Sequence, residues 1–342
     1  MNTLPWIEKY RSKKINDIKI NKHIKTQIDM MIKKYDIPNI ILEGPSGVGK
    51  TSTIICIARE LYKQYYRYMV LEMNASDNRG IEVHTIINNF QKLYVHIDEK
   101  DRNTIPPFKM IILDEADNMT EKAENIISNF MKNNDKLRFA FTCNSKENIL
   151  SVIQSNCHII NYPALDDKII VSRLQEICKY ENIINTETTK KALNIIINGL
   201  NSIAHITNGD MRHSINILQI TFCRYGEINT NNVFSIQDIP QPEQLKQILL
   251  NCINGNIGWA LKKVIEIRHN GYSGTDIIIG IRNILRIDIC DDIDELTKME
   301  ISKCIHFAYN NIARGVDSSL LQITACIADI YKNIYVKRLS SE

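Results

Sequence analysis

Asn39-Ile-Ile-Leu-Glu43, then Gly44-Pro45-Ser46-Gly47-Val48-Gly49-Lys50-Thr51, then Ser52-Thr-Ile-Ile-Cys-Ile-Ala-Arg-Glu-Leu61, is the stretch on which the fold turns. The first segment is a short apolar run of buried-strand type. The last has the apolar spacing of a helix. Between them stands the full pattern G-x-x-x-x-G-K-[ST], in the strand-to-helix context its chemistry requires. Glycines let successive backbone N–H groups curl around anionic oxygens, and the positive end of the following helix favours the same charge. Gly44, Pro45, Ser46, Gly47, Val48, Gly49, Lys50 and Thr51 are therefore the candidate nucleotide-phosphate-binding residues, with Lys50 reaching the β and γ phosphates and Thr51 offering its hydroxyl to Mg²⁺.

Further apolar strands are expected at Tyr68–Glu72, Lys109–Asp114 and Leu137–Thr142, with helical stretches between them. That alternation predicts an α/β domain whose parallel sheet carries helices on both faces. The strand Ile111-Ile-Leu-Asp114 ends in adjacent carboxylates, Asp114-Glu115. Asp114 is placed to hold the metal together with Thr51, and Glu115 to orient and polarise an attacking water. Phe139-Ala-Phe-Thr-Cys-Asn144 brings an amide to the same crevice, where it can reach the water or the γ phosphate; a turn-forming asparagine has the same spacing. Asn74 sits similarly, with a helix cap as the competing explanation.

From Asp166 helical periodicity takes over, and a small helical domain is expected to end near Tyr225. The stretch Gly226–Glu243, rich in Asn, Thr, Pro and Gln, reads as a linker, followed by a second helical domain to about Val336. The division expected is 1–163, 164–226 and 227–342.

The bulk numbers bound the function without naming it. The 342 residues are 44% hydrophobic and 24% charged, which excludes a disordered or collagenous chain. Formal net charge is +3, so contact with nucleic acid must come from local placement of basic groups. Nine scattered cysteines without a C-x-x-C pair speak for buried thiols in a reducing compartment and against a zinc site or a disulfide framework. No signal peptide or membrane span is expected, and no membrane partner.

With these residues assembled, the chain resembles a replication factor C small subunit of the AAA+ clamp-loader ATPase family. Pro5-Trp6-Ile7-Glu8-Lys9-Tyr10-Arg11 is similar to the family's amino-terminal signature, Leu71-Glu-Met-Asn74-Ala-Ser-Asp-Asn-Arg79-Gly-Ile81 to its box after the second strand, and Gly209-Asp210-Met211-Arg212 to its sensor-2 turn. The resemblance implies an AAA+ domain, a helical lid and a helical collar. It also implies ATP and Mg²⁺ as cofactors and a hetero-pentamer with other clamp-loader subunits. That assembly would open a sliding clamp and load it on primer-template DNA; the compartment expected is intracellular, with a nucleus or a viral replication site ahead of an archaeal cytoplasm. It places Tyr10 and Arg11 near the adenine and ribose. Arg212 would lie at the γ phosphate of its own subunit, and Arg79 is a candidate DNA contact. Asp114, Glu115, Asn144 and Arg212 form the implied catalytic set, and DNA and the clamp would stimulate hydrolysis. A nucleotide-binding scaffold with little hydrolysis of its own is the alternative. A helicase or protein remodeller lacks support, because the Asn-Ala-Ser-Asp box resembles the clamp-loader branch.

Three departures from the family pattern stand out. Gln154-Ser155-Asn156-Cys157 carries Asn156 where relatives usually have an arginine that reaches the adjacent subunit's ATP, Ser12 stands where the family prefers proline, and Thr85 stands near where relatives often place an arginine. Residues 90–107, with Phe90, Leu93, Tyr94, Pro106 and Pro107, lie where relatives touch the clamp, although an amphipathic helix packed on its own sheet gives the same pattern.

Overall fold

A computed structural model of the chain describes residues 4–75, 81–101, 104–184, 189–237, 240–286, 293–315 and 319–336. It divides into two compact units, Met1–Cys223 and Arg224–Glu342.

The first unit is built on a five-stranded parallel sheet: β1 Ile40–Glu43, β2 Val70–Asn74, β3 Lys109–Asp114, β4 Leu137–Cys143 and β5 His158–Asn161, in the spatial order β2-β3-β4-β1-β5. Successive side chains of a strand point to opposite faces, so the apolar runs feed two cores. Ile40, Leu42, Met110, Ile112 and Ala140 pack on one face with Ile54, Leu61 and Tyr62 of the helix Lys50–Tyr62. Ile41, Ile111, Leu113, Phe139 and Phe141 pack on the other with Ile87 of the helix Ile81–Lys92 and Ile127 of the helix Glu121–Asn133. Both faces are covered, which is why the strands read as continuous apolar runs and not as alternations. The Tyr62 hydroxyl, buried in this packing, donates to the Phe108 carbonyl at 2.9 Å.

Two strands differ from the sequence reading. β2 runs Val70–Asn74, because residues Tyr66–Met69 continue a helical turn, and this carries Asn74 to the strand's end beside Asp114. β5 was not legible: His158-Ile-Ile-Asn161 is short, and it is a strand through pairing with β1.

Three longer helices follow the sheet, Asp167–Tyr180, Lys190–Thr207 and Met211–Tyr225, the last running past the boundary at Cys223. The second unit is helical, from Thr230–Gln237 through Pro242–Ile253, Ile257–His269, Gly274–Arg286, Glu295–Ala313 and Ser319–Tyr331. Ile248, Leu249, Val264, Ile277, Ile301, Ile323 and Ile327 are at the centre of its core. The stretch read as a linker contains a helix. Asn229 accepts the N–H of Asn232 at 2.8 Å as an N-cap, and Val233 and Phe234 are buried, so packing overrides its polar composition. Among the described residues no helix is long and apolar enough to cross a membrane.

Candidate nucleotide site

The glycine loop leaves the carboxyl end of β1 and closes on the helix Lys50–Tyr62. Gly44, Gly47 and Gly49 all take positive φ, +153°, +68° and +97°. At Gly44 a Cβ would also lie 2.2 Å from the main-chain oxygen of Tyr162, so glycine is required there twice over. Lys50 is buried, and its Nζ donates to the carbonyls of Gly44 at 2.7 Å and Pro45 at 2.8 Å and to Asn144 Oδ1 at 3.3 Å. Burial pushes this ammonium below its usual range, while the nearby Asp117, Asp114 and Asp210 oppose the shift.

β3 and β4 are neighbours in register, and they deliver their carboxyl ends to the same loop. Thr51 Oγ1 donates to Asp114 Oδ1 at 2.8 Å. The Thr142 hydroxyl donates to the same oxygen and accepts the Glu115 N–H at 3.2 Å. Glu115 has φ +55°, a left-handed conformation that a side chain rarely adopts, and this turns the chain sharply after the strand. Its carboxylate is exposed and, among the described residues, has no hydrogen-bond partner. The Asn144 N–H is held by Asp117 Oδ2 at 3.0 Å, while Asp117 Oδ1 is buried without a partner among the described residues. Thr51 and Asp114 present a hydroxyl and a carboxylate oxygen, the hard donors that suit Mg²⁺.

The cleft in front of the loop has a volume of about 230 Å³, and the candidates Ser46, Gly47, Val48, Gly49, Lys50, Thr51, Asp114, Glu115, Asn144, Arg212, Tyr10 and Arg11 all line it. Gly44 and Pro45 are not in that lining; their carbonyls hold the Nζ of Lys50, which is. The amino-terminal segment is anchored on the helices beyond the sheet. Tyr10 donates to Glu181 Oε1 at 2.6 Å and stacks on Tyr180 with ring centres 6.0 Å apart, Lys9 reaches the same carboxylate at 2.7 Å, and Arg173 donates to the Tyr10 carbonyl at 2.9 Å. Burial pushes Glu181 up, but the hydrogen bonds from Lys9 and Tyr10 outweigh it and hold its carboxyl below the usual range. Arg11 pairs with Glu8 at 3.6 Å, an exposed contact of little energy. Sequence reasoning missed Thr142, Asp117 and Arg173, whose partners lie on other elements.

Arg79 lies outside the described residues, as does part of its box. Asn156 is exposed and remote from the cleft, just ahead of β5, where Asn39 Nδ2 donates to its carbonyl at 3.5 Å and its own amide donates to the Val152 carbonyl at 2.7 Å. The strands are parallel, so this is the end of the sheet opposite the glycine loop. Leu93 and Tyr94, 48% and 87% exposed, follow a helix whose Phe90 packs against the core.

A glycine loop, a strand-end carboxylate bonded to its threonine, and a helical segment carrying Arg212 over the cleft define a P-loop ATPase of the AAA class. Residues 40–165 match the "ATPase family associated with various cellular activities (AAA)" and residues 240–329 the "Replication factor C C-terminal domain". The chain is 34% identical to replication factor C subunit 4 of Schizosaccharomyces pombe, over 96% of this chain and 92% of that protein. It is 35% identical to a putative replication factor C small subunit of Acanthamoeba polyphaga mimivirus, over 97% and 98%. Among solved structures, the Thermotoga maritima RuvB Holliday junction branch migration motor matches with a TM-score of 0.51 at 14% identity, over 70% of this chain and 79% of that one, a likeness of fold alone. The chain belongs to the replication factor C small-subunit family, within the AAA+ clamp-loader ATPases.

Proposed function

We propose that this chain is an ATP-hydrolysing subunit of a clamp loader that opens a sliding clamp and places it on primer-template DNA, working in a hetero-pentamer, in a nucleus or at a viral replication site. The observation that carries the reading is the junction of Thr51, Asp114 and Thr142 beside a complete glycine loop. In this reading 1–163 is the ATPase domain, 164–226 the lid and 227–342 the collar.

The chemistry assigned to each residue follows from its place. The backbone of Gly44 to Gly49 binds the phosphates. Lys50 exchanges its bonds to the Gly44 and Pro45 carbonyls for phosphate oxygens, and its partial desolvation strengthens that attraction. Thr51 and Asp114 hold Mg²⁺, which supplies charge neutralisation on the phosphates. Glu115, unengaged and turned out by its left-handed backbone, orients the attacking water and takes up its proton. Asn144 positions that water or the γ phosphate, with its backbone fixed by Asp117. Arg212 meets developing charge on the γ phosphate, and Tyr10 and Arg11 border the base and ribose. Arg79 is assigned to the DNA backbone. DNA and the clamp stimulate the reaction by completing this geometry, so that hydrolysis serves conformational commitment. DNA-stimulated ATP hydrolysis of the reconstituted complex tests the assignment. Lys50→Ala should remove this subunit's share, and an unchanged rate would leave the nucleotide-binding scaffold as the better description.

Asn156 favours a specialised place in the ring. An amide lacks the cationic fork of arginine, whose loss from such a position can lower turnover by about 10³ to 10⁵. The site this subunit faces is then served differently or is structural. Asn156→Arg should raise the ATPase rate of the purified complex if the facing site binds ATP; no change would remove the argument.

A further inference from the structure

We propose that Asp210 is a positioning residue for Arg212, acting through a hydrogen bond from Ser46 that ties the lid helix to the glycine loop; the proposal rests on the cleft being an ATP site. Ser46 Oγ donates to Asp210 Oδ2 at 2.7 Å. The other carboxylate oxygen accepts the N–H of His213 at 2.9 Å, capping the helix Met211–Tyr225. A backbone bond from the Met211 N–H to the Gly47 carbonyl, 3.3 Å, runs beside it. One carboxylate thus joins two elements far apart in sequence and does so in the helix's first turn.

The fit is close on both sides. A Cβ on Gly47 would lie 1.8 Å from Asp210 Oδ1 and 2.4 Å from its Cγ, so the carboxylate occupies the space that the missing side chain leaves. On the other side the turn is seated against 164–165: the Leu165 N–H donates to the Gly209 carbonyl at 3.4 Å, and a Cβ on Gly209 would lie 2.8 Å from Ala164 Cβ. Arg212 follows in the first helical turn, exposed, lining the cleft and, among the described residues, without a hydrogen-bond or ion-pair partner. Its long side chain has only the backbone at its base to aim it. Asp210 fixes that backbone relative to the loop that cradles the phosphates. A shift of the loop at Ser46 is therefore felt at Arg212, and the terminal phosphate is read by loop and lid together.

The test uses the full chain and fluorescent mant-ATP and mant-ADP. Asp210→Ser keeps a capping oxygen but is too short to reach Ser46, whereas Asp210→Asn keeps both reaches. Asp210→Ser should reduce the preference for mant-ATP over mant-ADP by about tenfold, the scale of one hydrogen bond to a charged group. Asp210→Asn should restore most of it. In an Arg212→Ala background Asp210→Ser should have no further effect on the preference. Ser46→Ala breaks the same bond from the loop side and should lower the preference in the same way, should Asp210→Ser fold poorly by circular dichroism. An unchanged preference, an equal weakening of both nucleotides, or an undiminished penalty without Arg212 would overturn the proposal. Failure of the underlying site reading is separate: there Lys50→Ala would bind mant-ATP as well as the unaltered chain does.

Discussion

Replacing either of two loop glycines by alanine should have unequal effects, although both belong to one motif. Gly49→Ala puts a side chain at φ +97°, and among the described residues the new Cβ meets only Ile18 Cγ2 at an ordinary 3.6 Å. Backbone strain alone applies there, about 1–2 kcal/mol. Gly44→Ala meets a similar conformational penalty and in addition drives a Cβ to 2.2 Å from the Tyr162 main-chain oxygen. That oxygen cannot swing aside as a side chain would. It belongs to the segment joined to β1 by the Tyr162 N–H bond to the Glu43 carbonyl, 2.7 Å. Overpacking of this kind adds about 1–3 kcal/mol, so the total for Gly44→Ala is about 2–5 kcal/mol. Hydrogen exchange of the full chain, read by mass spectrometry on peptides from β1 through the loop helix, measures both effects locally, without assuming that the two units unfold together. Protection should fall about tenfold for Gly49→Ala and at least several-fold further for Gly44→Ala. Equal losses, or a larger one for Gly49→Ala, would refute the steric argument.

Two further outcomes follow from the site and its anchors. Thr51→Ala removes the hydroxyl bonded to Asp114, so chelating Mg²⁺ should weaken nucleotide binding in the unaltered chain and have little added effect in the variant, as measured by titration with and without EDTA. Acid should loosen the amino-terminal segment. The folded pKa of Glu181 lies below its ordinary 4.5, so its contribution is present above that value and lost as pH falls through the folded one. In a Trp259→Phe background the buried Trp6 reports this as a fluorescence change below pH 4.5 that Glu181→Gln abolishes.

Much of this was legible from spacing. The phosphate loop, its strand and its helix are contiguous, and contiguity is what a linear pattern preserves. Asp114 and Asn144 were legible too, because each ends an apolar run and parallel strands must bring their carboxyl ends to one edge. β5 was not, since a short segment acquires its strand character from β1 beside it. Nor was the helix Thr230–Gln237, whose buried Val233 and Phe234 outweigh a polar composition that reads as linker.

The sequence by itself determined the chemistry on offer: a cradle of backbone N–H groups, one lysine, a threonine and a pair of strand-end carboxylates. Tertiary structure decided which of these groups meet. Thr142 shares Asp114 with Thr51, Asp117 holds the Asn144 backbone, Ser46 finds Asp210 and Tyr10 finds Glu181. The physical reason is that hydrogen bonds act over about 3 Å, whereas these partners are brought together by packing of the sheet and helices, which the local pattern of either partner does not record.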